Sequence, residues 1–240
     1  MQGDFALASP ATPVLIDSDM AGGCFLPDNL TILYVTSTGA LRRATASNNP
    51  APITLLQSNA RSLATVSTSR GVVPALDDAG RYAIVTNKIG NPGRDLALVS
   101  TSVPGNPVVL AGAQDGELAW TPFTGDGTRA LYYLGLKRVR TGRVGALTTV
   151  AVGGGQPSTI ASNSWTAHSG TGTVVAYNAD YKEGVEDGFA DLYLTDLKGK
   201  TTAVAVRANA EFRLDAKRTS LVYVVAGRPD HGIWVTNAAP

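Results

Sequence analysis

A nine-residue pattern that occurs twice constrains the fold of this chain more than any other feature of its sequence. Trp120–Thr128 (WTPFTGDGT) and Trp165–Thr173 (WTAHSGTGT) share Trp, Thr, Gly, Gly and Thr at equal positions, and they lie 45 residues apart. Similar turns recur along the chain at intervals of 50, 48, 45 and 44 residues. The turn positions are Asp28, Asp78, Asp126, Thr171 and Asp215. The 240 residues are therefore predicted to contain five copies of one structural unit.

The repeated unit consists of short β-strands. Runs of four to six residues rich in Val, Tyr and Leu, such as Ile32–Val35 and Leu221–Val225, suit a pleated, half-buried surface. The 26 glycines and 13 prolines supply the turns that many short strands require. No stretch of eleven or more residues has the apolar spacing of an amphipathic helix. A period of roughly 40–50 residues with four such strands is typical of one β-propeller blade.

The sequence therefore predicts an all-β fold, a β-propeller of four-stranded antiparallel blades, in a single domain that spans residues 1–240. The predicted repeats cover approximately residues 24–74, 75–119, 120–164, 165–210 and 211–240. The last repeat ends after a third strand, so we expect residues 4–18 to supply the closing strand or strands. Part of a six- or seven-bladed propeller is the alternative, because Phe5–Ser9 would be surplus in a five-bladed ring.

Composition excludes several other classes of protein. The 44% of hydrophobic residues exclude intrinsic disorder, and the 16% of charged residues argue against a coiled coil. The net charge of +1 argues against nucleic-acid binding. The sequence contains no run of about 18 apolar residues, so membrane insertion is not predicted. The single cysteine, Cys24, excludes an internal disulfide. Met1–Asp4 lacks the basic region of a signal peptide, so we expect a cytoplasmic protein or a segment of a longer chain.

Several motifs resemble those of a known repeat family. Asp191–Gly199 (DLYLTDLKG) and the turns at Pro27–Asn29 and Gly125–Gly127 are similar to the TolB-type propeller repeat, a WD40-like repeat also called PD40. The resemblance covers nearly the whole chain and depends on five copies in register. It implies a bacterial, periplasmic or otherwise extracytoplasmic protein that binds other proteins. The additional N-terminal α/β domain of TolB itself has no counterpart in this sequence.

Residues with catalytic potential are few. His168 takes the place that Phe123 has in the preceding repeat, which favours a packing role. His231 follows Asp230 in a short loop, where an acid–base pair is the alternative to a solvated surface. The sequence has no Gly-x-Ser-x-Gly nucleophile, no phosphate-binding loop and no His/Cys cluster with zinc spacing. We therefore predict no catalytic residue, no metal and no cofactor, and the sequence leans towards a protein that is not an enzyme without deciding the question.

Trp120 and Trp165 occupy equivalent positions just before the turn of their repeats. Repeated tryptophans at one position favour packing between blades. Stacking on a sugar or a peptide in the central channel is the alternative.

The connections between the second and third strands of neighbouring repeats carry opposite charges. We expect them to lie side by side on one face of the propeller as a binding rim, since long loops on a rigid scaffold commonly carry function. A network of ion pairs between the two loops and a calcium site in the acidic loop are the alternatives. The predicted rim residues are Lys137, Arg138, Arg140, Arg143, Asp180, Glu183, Glu186, Asp187, Asp191 and His231.

These features favour a non-catalytic scaffold that binds a protein or peptide through loops on one face, as a monomer or as part of a larger chain. Two alternatives remain open at the level of sequence. One is the propeller domain of a larger enzyme, of the peptidase-gating or the lyase or hydrolase type. The other is a structural segment of a cell-envelope protein.

Overall fold

The computed structural model describes residues 15–46, 50–68, 71–87, 95–114, 118–140, 142–182, 189–225 and 231–240. In these residues it contains strands and turns only, and it has no helix that could cross a membrane. The strands are β1 (Met20–Phe25), β2 (Thr31–Thr36), β3 (Leu41–Thr45), β4 (Ile53–Leu56), β5 (Ala60–Leu63), β6 (Thr65–Thr68), β7 (Gly71–Pro74), β8 (Tyr82–Asn87), β9 (Asp95–Ser100), β10 (Val108–Gln114), β11 (Leu118–Phe123), β12 (Arg129–Val139), β13 (Gly142–Ala151), β14 (Ser158–Ser164), β15 (Ala167–Ser169), β16 (Val175–Lys182), β17 (Phe189–Thr195), β18 (Thr201–Leu214), β19 (Ser220–Val225) and β20 (Gly232–Asn237).

The strands form successive antiparallel sheets, each of which begins with its inner strand. Sheet 1 has the order β1-β2-β3-β4, sheet 2 the order β5-β8-β9-β10, and sheet 3 the order β11-β12-β13-β14. Strands β15 to β20 form one six-stranded sheet, in which sheet 4 (β15 to β18) and sheet 5 (β18 to β20) share β18. The predicted all-β fold with four-stranded antiparallel blades is thereby confirmed.

Consecutive sheets pack face to face, because the second strand of each sheet is apolar on both sides. On β8, Ala83 and Val85 face sheet 1, and Ile84, between them, faces sheet 3. On β12, Tyr132 packs against sheet 2 and Leu131 against sheet 4. Each central sheet is thus covered by a neighbour on both faces, which is the arrangement of blades in a propeller.

Strand β18 joins the last two sheets without a turn. Its first residues pair with β17 and its last residues pair with β19. The sequence Thr201–Leu214 contains no glycine or proline that would end the strand. The register shifts between Ala208 and Phe212, just after Arg207 with its positive φ of 58°. The predicted repeat boundary at residue 210 therefore falls inside a strand.

A hairpin that the repeat pattern did not indicate interrupts the inner strand of sheet 2. The N–H of Ala64 donates to the carbonyl oxygen of Ile84, and the N–H of Ala75 donates to the carbonyl oxygen of Ala64. The strands β6 and β7 therefore project from the sheet between these two alanines. Because β5 pairs with β8, residues 60–63 belong to sheet 2 and not, as predicted, to the first repeat, whereas β6 and β7 form a two-stranded sheet of their own. The insertion also explains why the interval between the first two turns is the longest of the four.

The turn after each inner strand contains one residue with a left-handed backbone. These residues recur every 45 to 51 positions. They are Asn29, Gly80, Gly127, Gly172 and Arg218. Neighbouring turns touch, since a Cβ on Gly80 would lie 2.6 Å from the Cδ of Pro27, and a Cβ on Gly125 would lie 2.3 Å from the carbonyl oxygen of Gly170.

The closing segment predicted at residues 4–18 lies mostly outside the described residues. Of its described part, Asp17 accepts hydrogen bonds from the hydroxyl of Tyr34 (2.9 Å) and from Arg42 (2.8 Å), so residues 15–18 lie along sheet 1. These bonds, with one from the Asp19 N–H, lower the pKa of the Asp17 carboxyl. The role of residues 4–14 in closing the ring stays a prediction.

Candidate functional site

The predicted basic loop is an extension of a β-hairpin. Lys137 and Arg138 lie on β12, Arg143 lies on β13, and Arg140 lies in the connection between the two strands. All four side chains are exposed. Arg138 pairs in register with Arg143, so two cations stand directly opposite each other on the ladder. Leu136, Val139 and Val144 supply apolar side chains among these charged residues, and a register shift between Leu134 and Lys137 interrupts strict alternation.

An aromatic cluster fixes this hairpin to the next one. Trp165 packs edge-on against Tyr181 of β16 at 5.2 Å between ring centroids, and Val139 and Val144 complete the cluster. A Cβ on Gly142 would lie 2.5 Å from the indole nitrogen of Trp165, so glycine is required there for the hairpin to reach the ring. The hairpins β12–β13 and β16–β17 therefore lie side by side, and Trp165 has the packing role that its repetition favours.

The described acidic residues of the second hairpin bond within their own sheet. Asp180 accepts a hydrogen bond from the hydroxyl of Tyr193 (3.2 Å), and Asp191 accepts one from the N–H of Arg207 (2.9 Å). Burial and the bond to Asp180 raise the pKa of the Tyr193 phenol. Glu183, Glu186 and Asp187 lie outside the described residues. His231 is exposed immediately before β20, in the corresponding connection of sheet 5.

A second cluster lies on the inner strands, and the sequence singled out only part of it. Trp120 of β11, His168 of β15 and Arg213 near the end of β18 come together from three successive sheets. The rings of Trp120 and His168 are 6.0 Å apart, and the guanidinium carbon of Arg213 lies 5.4 Å from the centroid of the Trp120 ring. His168 also contacts the ring of Phe212 edge-on at 5.2 Å. Burial, and secondarily the charge of Arg213, lowers the pKa of His168 to about 4.

A cleft of about 210 Å³ opens beside Trp120. It lies between the inserted strand β6 and the inner strand β11, and it is lined by Thr65, Val66, Ser67, Leu118, Ala119 and Trp120. The β-branched residues of Thr65–Thr68 and Val72–Val73, on either side of a Ser-Arg-Gly sequence, are a hairpin signal that could have located this wall of the cleft. The contribution of Arg213 could not be found in the sequence, because it depends on how three sheets meet.

Metal-binding side chains do not converge in the part of the chain that the structure describes, where no group of three or more His, Cys, Asp or Glu residues could hold an ion. Cys24 is half-buried on β1, and burial raises the pKa of its thiol.

Sequence comparisons give no family: no family model and no curated protein matches the chain. Among solved structures, a putative TolB from Agrobacterium tumefaciens is 10% identical, with 90% of this chain and 79% of that chain covered, at a TM-score of 0.43. An oligogalacturonate lyase in complex with manganese is 15% identical, with 91% of this chain but only 62% of the lyase covered, at a TM-score of 0.48. A hydrazine synthase from Kuenenia stuttgartiensis is 13% identical, with 91% and 77% covered, at a TM-score of 0.37. A TolB-type protein is thus among the structures similar to this chain, as the motif resemblance predicted.

Proposed function

We propose that this propeller is a non-catalytic scaffold that binds a protein or peptide through the paired hairpins β12–β13 and β16–β17. The observation that carries the proposal is the exposed, in-register pair of Arg138 and Arg143. Like charges directly opposite each other destabilise a ladder. A sequence selected for stability alone would place an opposite charge at one of these positions, whereas an anionic partner would turn both charges into favourable contacts.

The hairpin is also held in place before any partner binds. Trp165 and Tyr181 pack close to its turn, beside Gly142, so little conformational entropy is lost on binding compared with a free loop. Arginine pairs with carboxylates through two parallel hydrogen bonds, which gives orientation as well as affinity. The partner surface that fits β12–β13 is therefore acidic, and we expect the acidic hairpin next to it to disfavour partners with extended negative charge.

The test starts from the intact protein as bait in its source cell and then measures the affinity of an identified partner. The double variant Arg138→Glu/Arg143→Glu is expected to weaken binding by at least about tenfold, and the wild-type affinity should fall as salt rises. The matched control is Lys198→Glu/Lys217→Glu, which makes the same change of net charge at exposed sites away from the hairpins. Equal affinity of the wild type and both variants, with unchanged melting temperatures, would show that the hairpins are only a solvated surface.

A further inference from the structure

The cluster of Trp120, His168 and Arg213 has no part in the proposed function, since it lies on the inner strands and not on the paired hairpins. Its three side chains come from three successive sheets, so their meeting is a property of the assembled propeller and of no single repeat. Within the described residues, each of the three has either an exposed surface or a polar atom without a hydrogen-bond partner.

Trp120 is 43% exposed, although the equivalent Trp165 is packed into the aromatic cluster between the two hairpins. Arg213 is exposed, donates a hydrogen bond of 3.3 Å to the carbonyl oxygen of Phe212, and has no carboxylate partner among the described residues. The Nε2 atom of His168 is buried, and within the described residues it has no hydrogen-bond partner. Buried polar atoms are nearly always paired, and each that is not calls for an explanation.

We propose that this cluster is a binding site for a planar group that carries a carboxylate. The open face of the Trp120 indole accepts the planar group, since aromatic surfaces stack in offset or tilted geometry. Arg213 pairs with the carboxylate through its guanidinium fork. His168 stays neutral near pH 7, so it does not repel a cationic neighbour. Its Nε2 is closed to solvent in the unliganded protein, so a ligand bonds to it only by displacing the Trp120 ring that lies beside it.

The size of the cleft limits the ligand. About 210 Å³ beside Trp120 is below the usual range for a drug-sized ligand, and it suits one ring with its substituent. Thr65 and Ser67 also line this cleft. Of the cluster only Trp120 does so, and the carboxylate therefore extends past the indole to Arg213, whose guanidinium carbon lies 5.4 Å from the ring centroid. Two sources supply the same chemistry: a free aromatic acid, and the C-terminal residue of a peptide that ends in an aromatic side chain.

The experiment compares acids with their neutral amides by isothermal titration calorimetry. The probes are indole-3-acetate against indole-3-acetamide, and Gly-Gly-Trp with a free against an amidated C-terminus. We expect each acid that binds to bind at least about tenfold more tightly than its amide. Tighter binding of the free acid identifies a small molecule as the ligand, and tighter binding of the peptide identifies a chain terminus.

The variants Arg213→Gln and Trp120→Leu should each reduce the affinity by at least about tenfold. Arg207→Gln is the matched control, because Arg207 lies over the ring of Phe189 and outside the cluster. Equal binding of acid and amide, unchanged affinity in Arg213→Gln, or no saturable binding by any probe would overturn the proposal. A ¹⁵N-resolved shift of the His168 ring on addition of the acid supports it, and no shift at saturation contradicts it. None of these readouts depends on the paired hairpins, so this proposal and the proposed function can fail separately.

Discussion

Two phenylalanines at the same position of two repeats have very different surroundings. Phe25 ends β1 and Phe123 ends β11, and each is followed by the same turn: the N–H of Asn29 bonds to the carbonyl of Leu26, and the N–H of Gly127 to that of Thr124. Yet Phe123 is 4% exposed and Phe25 is 55% exposed. Equal local structure has therefore produced a core residue in one sheet and a surface residue in the other.

The difference comes from the neighbouring sheet. In sheets 2, 3 and 5 this position packs on the preceding sheet, through Leu76, Phe123 and Leu214 respectively. The same face of sheet 1 has no covering sheet among the described residues, and Phe25 lies with Leu15, Met20 and Ile32 along an open groove of about 330 Å³. The position in the repeat determines which face of the sheet a side chain is on. Its burial depends on whether a neighbouring sheet covers that face.

The largest expected effect is on this pair of phenylalanines. Phe123→Ala should lower the free energy of unfolding by about 3–5 kcal/mol, because it removes a buried ring and leaves a cavity between sheets 2 and 3. Phe25→Ala, the matched control, should change it by less than about 1 kcal/mol. Urea denaturation of both variants measures the difference. A loss at Phe25 as large as that at Phe123 would mean that the face of sheet 1 is covered in solution.

The turns show how much of the fold the sequence could predict. Asp28 and Asp126 accept hydrogen bonds from the N–H of the residue two positions on, as their turn chemistry predicts. In the second repeat the capping residue is Asp77 and not the predicted Asp78: Asp77 accepts from the N–H of Tyr82 (2.8 Å). Two neighbouring aspartates are alike in sequence, and only the register of β8 decides between them.

His168 has in sheet 4 the position that Phe123 has in sheet 3, so its titration tests the equivalent interface between sheets 3 and 4. Its pKa of about 4 lies below the ordinary 6.5, so the unfolded chain binds the proton more tightly than the folded one. Stability is therefore expected to fall as the pH drops from about 6.5 to about 4, by at most about 3 kcal/mol. His168→Phe, which installs the side chain of the equivalent position, should remove this part of the pH dependence.

Thermal unfolding of the wild type and His168→Phe across pH 4 to 7 measures the effect. The carboxylates are the same in both proteins, so their contribution to the pH dependence cancels in the comparison. If the two pH profiles are parallel, then His168 is hydrated and the interface between sheets 3 and 4 is more open than that around Phe123.

The candidate sites could be predicted only where they depend on local sequence. The charges of Lys137 and Arg143 are visible in the sequence, but their placement on paired strands follows from apolar residues that meet Trp165 of another sheet. The site around Trp120 is less predictable still, because Arg213 lies 93 positions further along the chain. Contacts between sheets are long-range. A repeat pattern predicts the order of the sheets but not which side chains meet between them.

A smaller effect is expected where the turns touch. Gly125→Ala would place a Cβ 2.3 Å from the carbonyl oxygen of Gly170, which is backbone and cannot move without shifting the turn of sheet 4. We expect a loss of about 1–3 kcal/mol. Gly22→Ala is the control, since its Cβ meets nothing within 4 Å on sheet 1. Differential scanning calorimetry should rank the two variants, and equal melting temperatures would show that the turns separate in solution.

The smallest expected effect concerns a link between sheets that are far apart in the chain. Arg218, in the turn of sheet 5, pairs with Asp78, in the turn of sheet 2, through two contacts of 2.7 and 3.0 Å. Asp78 is 63% exposed, so a double-mutant cycle with Asp78→Asn and Arg218→Gln should give a coupling energy below about 1 kcal/mol that disappears in high salt. A coupling above about 2 kcal/mol that persists in salt would mean that the turns of sheets 2 and 5 exclude water from this pair. The turns would then hold sheets 2 and 5 at a fixed separation.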